Sequence, residues 1–265
     1  MQSINTASDK QISLLLREGS LASTSIGYGL TLLRKFDICN KGNFYQSLFQ
    51  LSIGMERLMK LIMISKYRVE YNRFPNNDTL KTYGHKLIKL YEVVSSYFVG
   101  NYPDPCQGPI CSSILNLFSD YAMSSRYYNL DVLTNRDLRI ADPLVAWKQI
   151  QDEIIKLHPV KSRQNITKKS FLDFIDENSM TVIYNEDNEV ISNFSELHNN
   201  VVESEHIQGY AVMYTLKIIG YLVNILDQIE TEGMLYPYLI EFFYNFCCSN
   251  RTPSEIRKKR NWAIV

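Results

Sequence analysis

The sequence predicts a mainly α-helical protein, a multi-helix bundle with one small β-hairpin insertion. Glycine (11) and proline (8) are sparse among 265 residues, which favours long helices over a turn-rich β architecture. Apolar residues recur at spacings of three and four over several long segments, which puts them on single helical faces. One late stretch, MTVIYNEDNEVISNF (180–194), instead sets two short β-branched runs on either side of NEDN, the pattern of a hairpin. With 45% hydrophobic and 21% charged residues, the chain is ordinary globular material and long enough for one large domain or two small ones.

Residues 9–37 read as one helix, or as two divided at Glu18–Gly19–Ser20. The clearest helix follows, over about 43–71, where Phe44, Leu48, Leu51, Met55, Leu58 and Ile62 share a face and NRFPNND ends it. TYGHKLIKLYEVV (82–94) opens another, striped by Leu87, Leu90, Tyr91 and Val94, and GNYPDPCQGP (100–109) breaks it. A third long helix is expected over 110–133. A fourth spans 142–158, with Asp142 as N-cap and Pro143 at the first helical position. Beyond the hairpin, one long helix should run from 194 or 195 to 230, then an apolar helix over LYPYLIEFFYNFCC, then a basic tail. The division expected is a bundle over 1–160 and, packed on it, a hairpin with C-terminal helices over 161–265, the two parts readable also as one continuous domain.

The formal net charge is zero, so no global field announces a nucleic-acid partner. Its distribution is uneven. Residues 1–125 carry thirteen basic and nine acidic residues, and 126–169 carry nine and five, a net of +4 in each case. Residues 173–205 hold nine acidic residues and neither Lys nor Arg, whereas RTPSEIRKKR (251–260) returns to +4. This alternation suits an acidic arm lying over a basic surface, within one chain or between two, or simply a set of solvated faces.

GYAVMYTLKIIGYLVNIL (209–226) is apolar, but Lys217 sits in its middle and Asp227 closes it, so it reads as a buried helix and not a membrane span. MQSINTASDK has no charged segment followed by an apolar one, and the expectation is a cytoplasmic protein without a membrane partner. The five cysteines form no C-x-x-C pair. Glu203–Ser–Glu–His206 has the E-x-x-H spacing of di-iron bundles but lacks the second such motif, so no metal site and no cofactor are expected. Walker, G-x-S-x-G and G-x-G-x-x-G motifs are absent.

Three segments together carry a resemblance: Gly54–Met–Glu56–Arg57–Leu–Met–Lys60, then Tyr83–Gly84–His85–Lys86–Leu87, then Ser125–Arg126–Tyr127–Tyr128–Asn129–Leu130–Asp131. In order and spacing they resemble bacterial members of the HEPN-like superfamily over roughly residues 10–160. That resemblance implies a bundle of four or five helices that often forms a homodimer, and an endoribonuclease working without metal in phage-defence, abortive-infection or toxin–antitoxin systems. In such chemistry a histidine moves the 2′-hydroxyl proton or protonates the leaving oxygen while an arginine stabilises the phosphorane.

This chain departs from the family's R-x4-6-H motif, because no arginine has a histidine five to seven positions downstream. The nearest analogue is Arg126 with Asp131 in the histidine's place, and an ionised aspartate donates no proton. The candidate catalytic set is therefore His85 as acid or base, Arg126 on the phosphate, and Tyr127 and Asp131 to position them. The alternative is that His85 bonds a backbone group at a helix start and Arg126 bridges Asp131 or Glu56. Lys161, Arg163, Lys168 and Lys169 are the candidate RNA-backbone contacts, with the RKKR run of the tail. The rival function is a non-catalytic helical module that binds a partner protein of the same system or dimerises.

Overall fold

A computed structural model describes residues 8–100, 102–135, 141–160, 166–247 and 251–263. It is mainly helical, with a single two-stranded antiparallel hairpin among the described residues. Helices α1 (Asp9–Arg34) and α2 (Lys41–Tyr71) are joined by a short turn and pack along each other. The 40-residue α9 (Phe194–Gly233) lies against both. Helices α4 (Leu87–Ser95) and α5 (Pro109–Met123) pack on α2, and α7 (Pro143–Leu157) bridges α5 and α9. The short helices are α3 (Asn77–Lys81), α6 (Tyr128–Leu133) and α10 (Pro253–Lys258), while α8 (Ile166–Asn178) leads to the hairpin β1 (Ile183–Tyr184) and β2 (Val190–Ile191).

The stripe expected on α2 is the centre of the core: Phe44, Leu48, Leu51, Met55, Leu58 and Ile62 are all fully buried. Burial of each contributes about 1.5–3 kcal/mol relative to exposure. Phe44 meets Phe36 and Trp147, so the turn after α1 closes with α2 and α7 on one aromatic cluster. One continuous hydrophobic cluster runs from Leu15 to Trp262 and includes the inner face of α9. The most apolar window of α9 is 78% buried within the bundle, which accounts for its hydropathy without a membrane.

The differences from the sequence reading have local causes. Helix α1 is unbroken through Glu18–Gly19–Ser20. Gly19 is there because a Cβ would come within 2.7 Å of the Phe242 ring, a packing requirement and not a hinge. The expected 110–133 helix stops at Met123, where Ser124 leaves helical geometry (φ −156°) and its hydroxyl takes the Asp120 carbonyl. A 3-10 turn over Ser125–Tyr127 and the short α6 replace its second half. The segment 235–247 is not an α-helix. After Pro237, Glu230 on α9 accepts the N–H groups of Leu239 and Ile240 (3.0 Å each), and two 3-10 turns follow. The tail contains α10, and α8 precedes the hairpin; neither was anticipated.

The hairpin forms where expected, with Ile183 opposite Ile191 and Tyr184 opposite Val190. Asn185 Oδ1 accepts from the backbone of Asp187 and Glu189, and Asn188 takes the left-handed conformation (φ 62°). Lys148 pairs with Asp187, and Lys41 Nζ donates to the Asn185 carbonyl at 3.0 Å. The acidic arm thus lies over lysines of its own chain.

Candidate functional site

The residues singled out by sequence gather over one face of α2, but on separate supports. His85 precedes α4 in a turn where Gly84 is left-handed (φ 52°). Its Nδ1 lies 2.8 Å from Glu56 Oε2, and Lys60 Nζ takes the other oxygen of that carboxylate at 2.6 Å. Among the described residues the imidazole bonds neither a backbone group nor Arg126, and its side chain is 69% exposed. Arg126 stacks its guanidinium on Phe49, 5.2 Å from the ring centroid, and its Nε is buried without a hydrogen-bond partner among the described residues. Phe49 and Glu56 are seven residues apart on α2, about two turns and roughly 10 Å. Tyr127 points outward at 61% exposure, and Asp131 lies partly buried on α6. Lys161 and Arg163 fall outside the described residues; Lys168 and Lys169 belong to α8, of which only the backbone is described there.

A second cluster, which the sequence reading did not assemble, lines an open cleft of about 280 Å³ where α10 crosses α9 at the C-terminal end of α1. Its walls include Arg34 from α1, Glu205, His206 and Tyr210 from α9, and Arg257 and Lys258 from α10. Local sequence dictates each placement. On α9, His206, Tyr210, Tyr214 and Lys217 follow at intervals of four, four and three, so they share one face. Thr252 and Glu255 form a reciprocal capping box with Pro253 at the first position, which starts α10 and sets Arg257 and Lys258 in its last turn. Gly209 admits α10, since a Cβ there would come within 3.2 Å of the Arg257 carbonyl. Beyond α10, Thr31 Oγ1 accepts the Trp262 N–H at 2.8 Å and pins the chain to α1.

The cleft is built around Tyr210. His158, at the end of α7, lies flat on it with centroids 3.9 Å apart and planes 9° apart. The Arg257 guanidinium carbon lies 4.5 Å from the same centroid, and one of its amino groups donates to the Tyr210 hydroxyl. Two groups this close need both ring faces, so Tyr210 is a spacer fixing a cation beside an imidazole. His158 Nε2 is 2.9 Å from the Tyr214 hydroxyl. Burial first, then the charges of Arg257, His206 and Lys217, lowers the His158 pKa from its ordinary value and favours the neutral ring.

His206 Nε2 is 2.8 Å from the main-chain carbonyl of His158. A carbonyl only accepts, so Nε2 carries the proton and Nδ1 of the neutral ring is the open base. Among the described residues Nδ1 has no hydrogen-bond partner.

Arg34 is the most constrained member. Its side chain is 7% exposed, and its Nε donates to the Arg257 carbonyl at 3.1 Å. Its terminal amino groups make no hydrogen bond among the described residues; the nearest carboxylate oxygen, on Glu205, is 3.9 Å away. Burial, opposed by Glu205 and aided by Arg260, lowers its pKa, although a guanidinium remains charged at any physiological pH. The terminal nitrogens line the cleft without a close acceptor, and a fork fixed by its own Nε is preorganised for a bidentate oxyanion.

Other reactive groups carry no site. Burial pushes the Cys106 thiol up to about 12 and the Cys111 thiol up to about 11, so neither is a thiolate near neutral pH. No group of three or more potential metal ligands occurs among the described residues. Comparison of the chain with family models, curated proteins and solved structures returns no match.

Proposed function

We propose that this is an RNA-directed helical protein that holds a phosphodiester in the α9–α10 cleft and cleaves it without metal. The observation carrying this reading is Arg34: a buried guanidinium whose fork opens on a cleft where Arg257 and Lys258 add positive charge and His206 offers an open imidazole nitrogen. The chemistry is that implied by the HEPN-like resemblance, an arginine beside a histidine, supplied here by residues far apart in sequence. A defence or toxin context comes with that resemblance.

Arg34 and Arg257 hold the non-bridging oxygens and balance the charge that grows on phosphorus. His206 Nδ1 takes the proton of the 2′-hydroxyl, the 2′-oxygen attacks phosphorus, and the bond to the 5′-oxygen breaks. That oxygen leaves with a proton drawn from water, and the hydroxide so formed takes back the proton held on His206, giving a 2′,3′-cyclic phosphate, a 5′-hydroxyl end and the neutral imidazole. The Nε2–H bond to the His158 carbonyl steadies the imidazole throughout.

The test is incubation of the protein in EDTA with a single-stranded RNA and with DNA of the same sequence. Cleavage of RNA alone, slowed about a hundredfold or more by His206→Asn, is the expected outcome. Binding without cleavage, or cleavage indifferent to that substitution, would move the account to the second reading, a non-catalytic module. A separate observation favours it: Met123, Tyr127, Leu130 and Leu133 form an apolar strip around α6, each more than half exposed.

A further inference from the structure

Among the described residues Glu205 is the one acidic residue in the cleft wall, and it stands where an anionic ligand would. Its carboxylate pairs with Arg260 and lies 3.9 Å from the Arg34 amino group. Resting on the reading of the cleft as a phosphate site, we propose that Glu205 is a built-in counter-ion that an incoming phosphate displaces, and that it sets the affinity and salt dependence of the site.

The asymmetry of the pair supports a displaceable role. Arg34 is nearly buried and fixed at its Nε, whereas the side chains of Glu205 and Arg260 are 55% and 64% exposed. An exposed ion pair contributes little to stability, so swinging Glu205 into solvent costs little. The 3.9 Å separation leaves the terminal amino groups of Arg34 without a hydrogen bond among the described residues, so a phosphate oxygen closing on that fork makes a contact the resting protein lacks. Counting Arg34, Arg257 and Lys258 against Glu205, the wall carries a net of +2, rising to +3 without Glu205. Glu205 therefore screens the cleft against weakly charged anions, and a phosphate chain presenting several charges overcomes it.

The experiment is fluorescence polarisation of a short labelled oligouridine with the parent, Glu205→Gln and Glu203→Gln. Glu203 lies two residues away on α9, where helical geometry turns it to the opposite side, so it removes the same charge from elsewhere. Glu205→Gln is expected to tighten binding about five- to tenfold at low salt, from loss of a unit charge a few ångströms from the phosphate. The gain should shrink as salt rises, and Glu203→Gln should change affinity less than about twofold. Unchanged or weaker binding by Glu205→Gln, with the parent still binding, overturns the counter-ion role and leaves the cleft reading intact. Equal tightening by Glu203→Gln overturns it as a general charge effect. Failure of both the parent and Glu205→Gln to bind overturns the cleft reading and this inference together.

Discussion

The α2 face and the α9–α10 cleft contain the same kinds of side chain, a histidine and an arginine, yet they differ in what those side chains still have to do. On α2, His85 is exposed and faces a carboxylate that also holds Lys60, and Arg126 lays its guanidinium on Phe49, its Nε buried without a hydrogen-bond partner among the described residues. In the cleft, Arg34 is buried with an open fork, and His206 keeps Nδ1 without a partner among the described residues. A charged group that is partnered and exposed is explained by its neighbours. One whose two-nitrogen fork is held in place and opens on a cleft beside further cations and an imidazole is the better candidate for an oxyanion. Residue type alone does not separate these cases; the burial and the remaining hydrogen-bond capacity do.

The largest effect that would sharpen the contrast is catalytic. His206→Asn should lower RNA cleavage about a hundredfold or more while leaving RNA affinity within about threefold, since only the proton transfer is lost. Loss of affinity and rate in equal measure would instead make His206 a binding residue. Next comes Arg257→Lys. A lysine keeps the charge but gives up the stack on Tyr210 and the bond to its hydroxyl, and RNA affinity should fall by roughly tenfold. Retention of full affinity would show that charge alone suffices there.

Glu230 tests how firmly the chain is led from α9 towards the cleft. It is 1% exposed, and burial pushes its pKa up to about 7, against the two backbone N–H groups and Arg68 that favour the charged form. A carboxyl whose folded pKa lies above its unfolded value binds protons preferentially in the folded state. Stability should therefore fall as pH rises from about 4.5 to about 7, by up to roughly 3 kcal/mol. Glu230→Gln should flatten that profile in denaturant titrations at several pH values. It should also cost about 1–3 kcal/mol, because an amide NH2 then faces a backbone N–H. A pH-independent parent would contradict the assignment. The smallest effect belongs to His85→Ala: an exposed side chain hydrogen-bonded to Glu56 should change stability by under about 0.5 kcal/mol and leave RNA affinity unaltered.

Most of the fold was legible because helical periodicity is local. The stripe from Phe44 to Ile62, the Asp142–Pro143 start of α7 and the NEDN hairpin each occupy one short window, and all three appear where that window put them. What failed depended on distant partners. Gly19 looked like a break until Phe242 was seen against it, and LYPYLIEFF looked helical until Glu230 took its N–H groups. The cleft was hidden for the same reason: Arg34, His158, His206 and Arg257 come from four separated segments. Two signals for it were nonetheless present. The T-P-S-E box marked a short helix carrying Arg257 and Lys258, and the regular His206–Tyr210–Tyr214–Lys217 interval marked a polar stripe on an otherwise apolar helix.

The central claim is that the oxyanion site is the Arg34 fork and not the α2 face. The most direct measurement is RNA affinity against salt concentration for the parent, Arg34→Gln and Arg126→Gln, with folding of each variant checked by circular dichroism. The account predicts that Arg34→Gln weakens binding at least tenfold and flattens the slope of log K against log salt by about 0.7, one single-strand phosphate contact, while Arg126→Gln leaves both unchanged. A folded Arg34→Gln that binds as the parent does, beside an Arg126→Gln that loses affinity and slope, would contradict the account and return the site to α2.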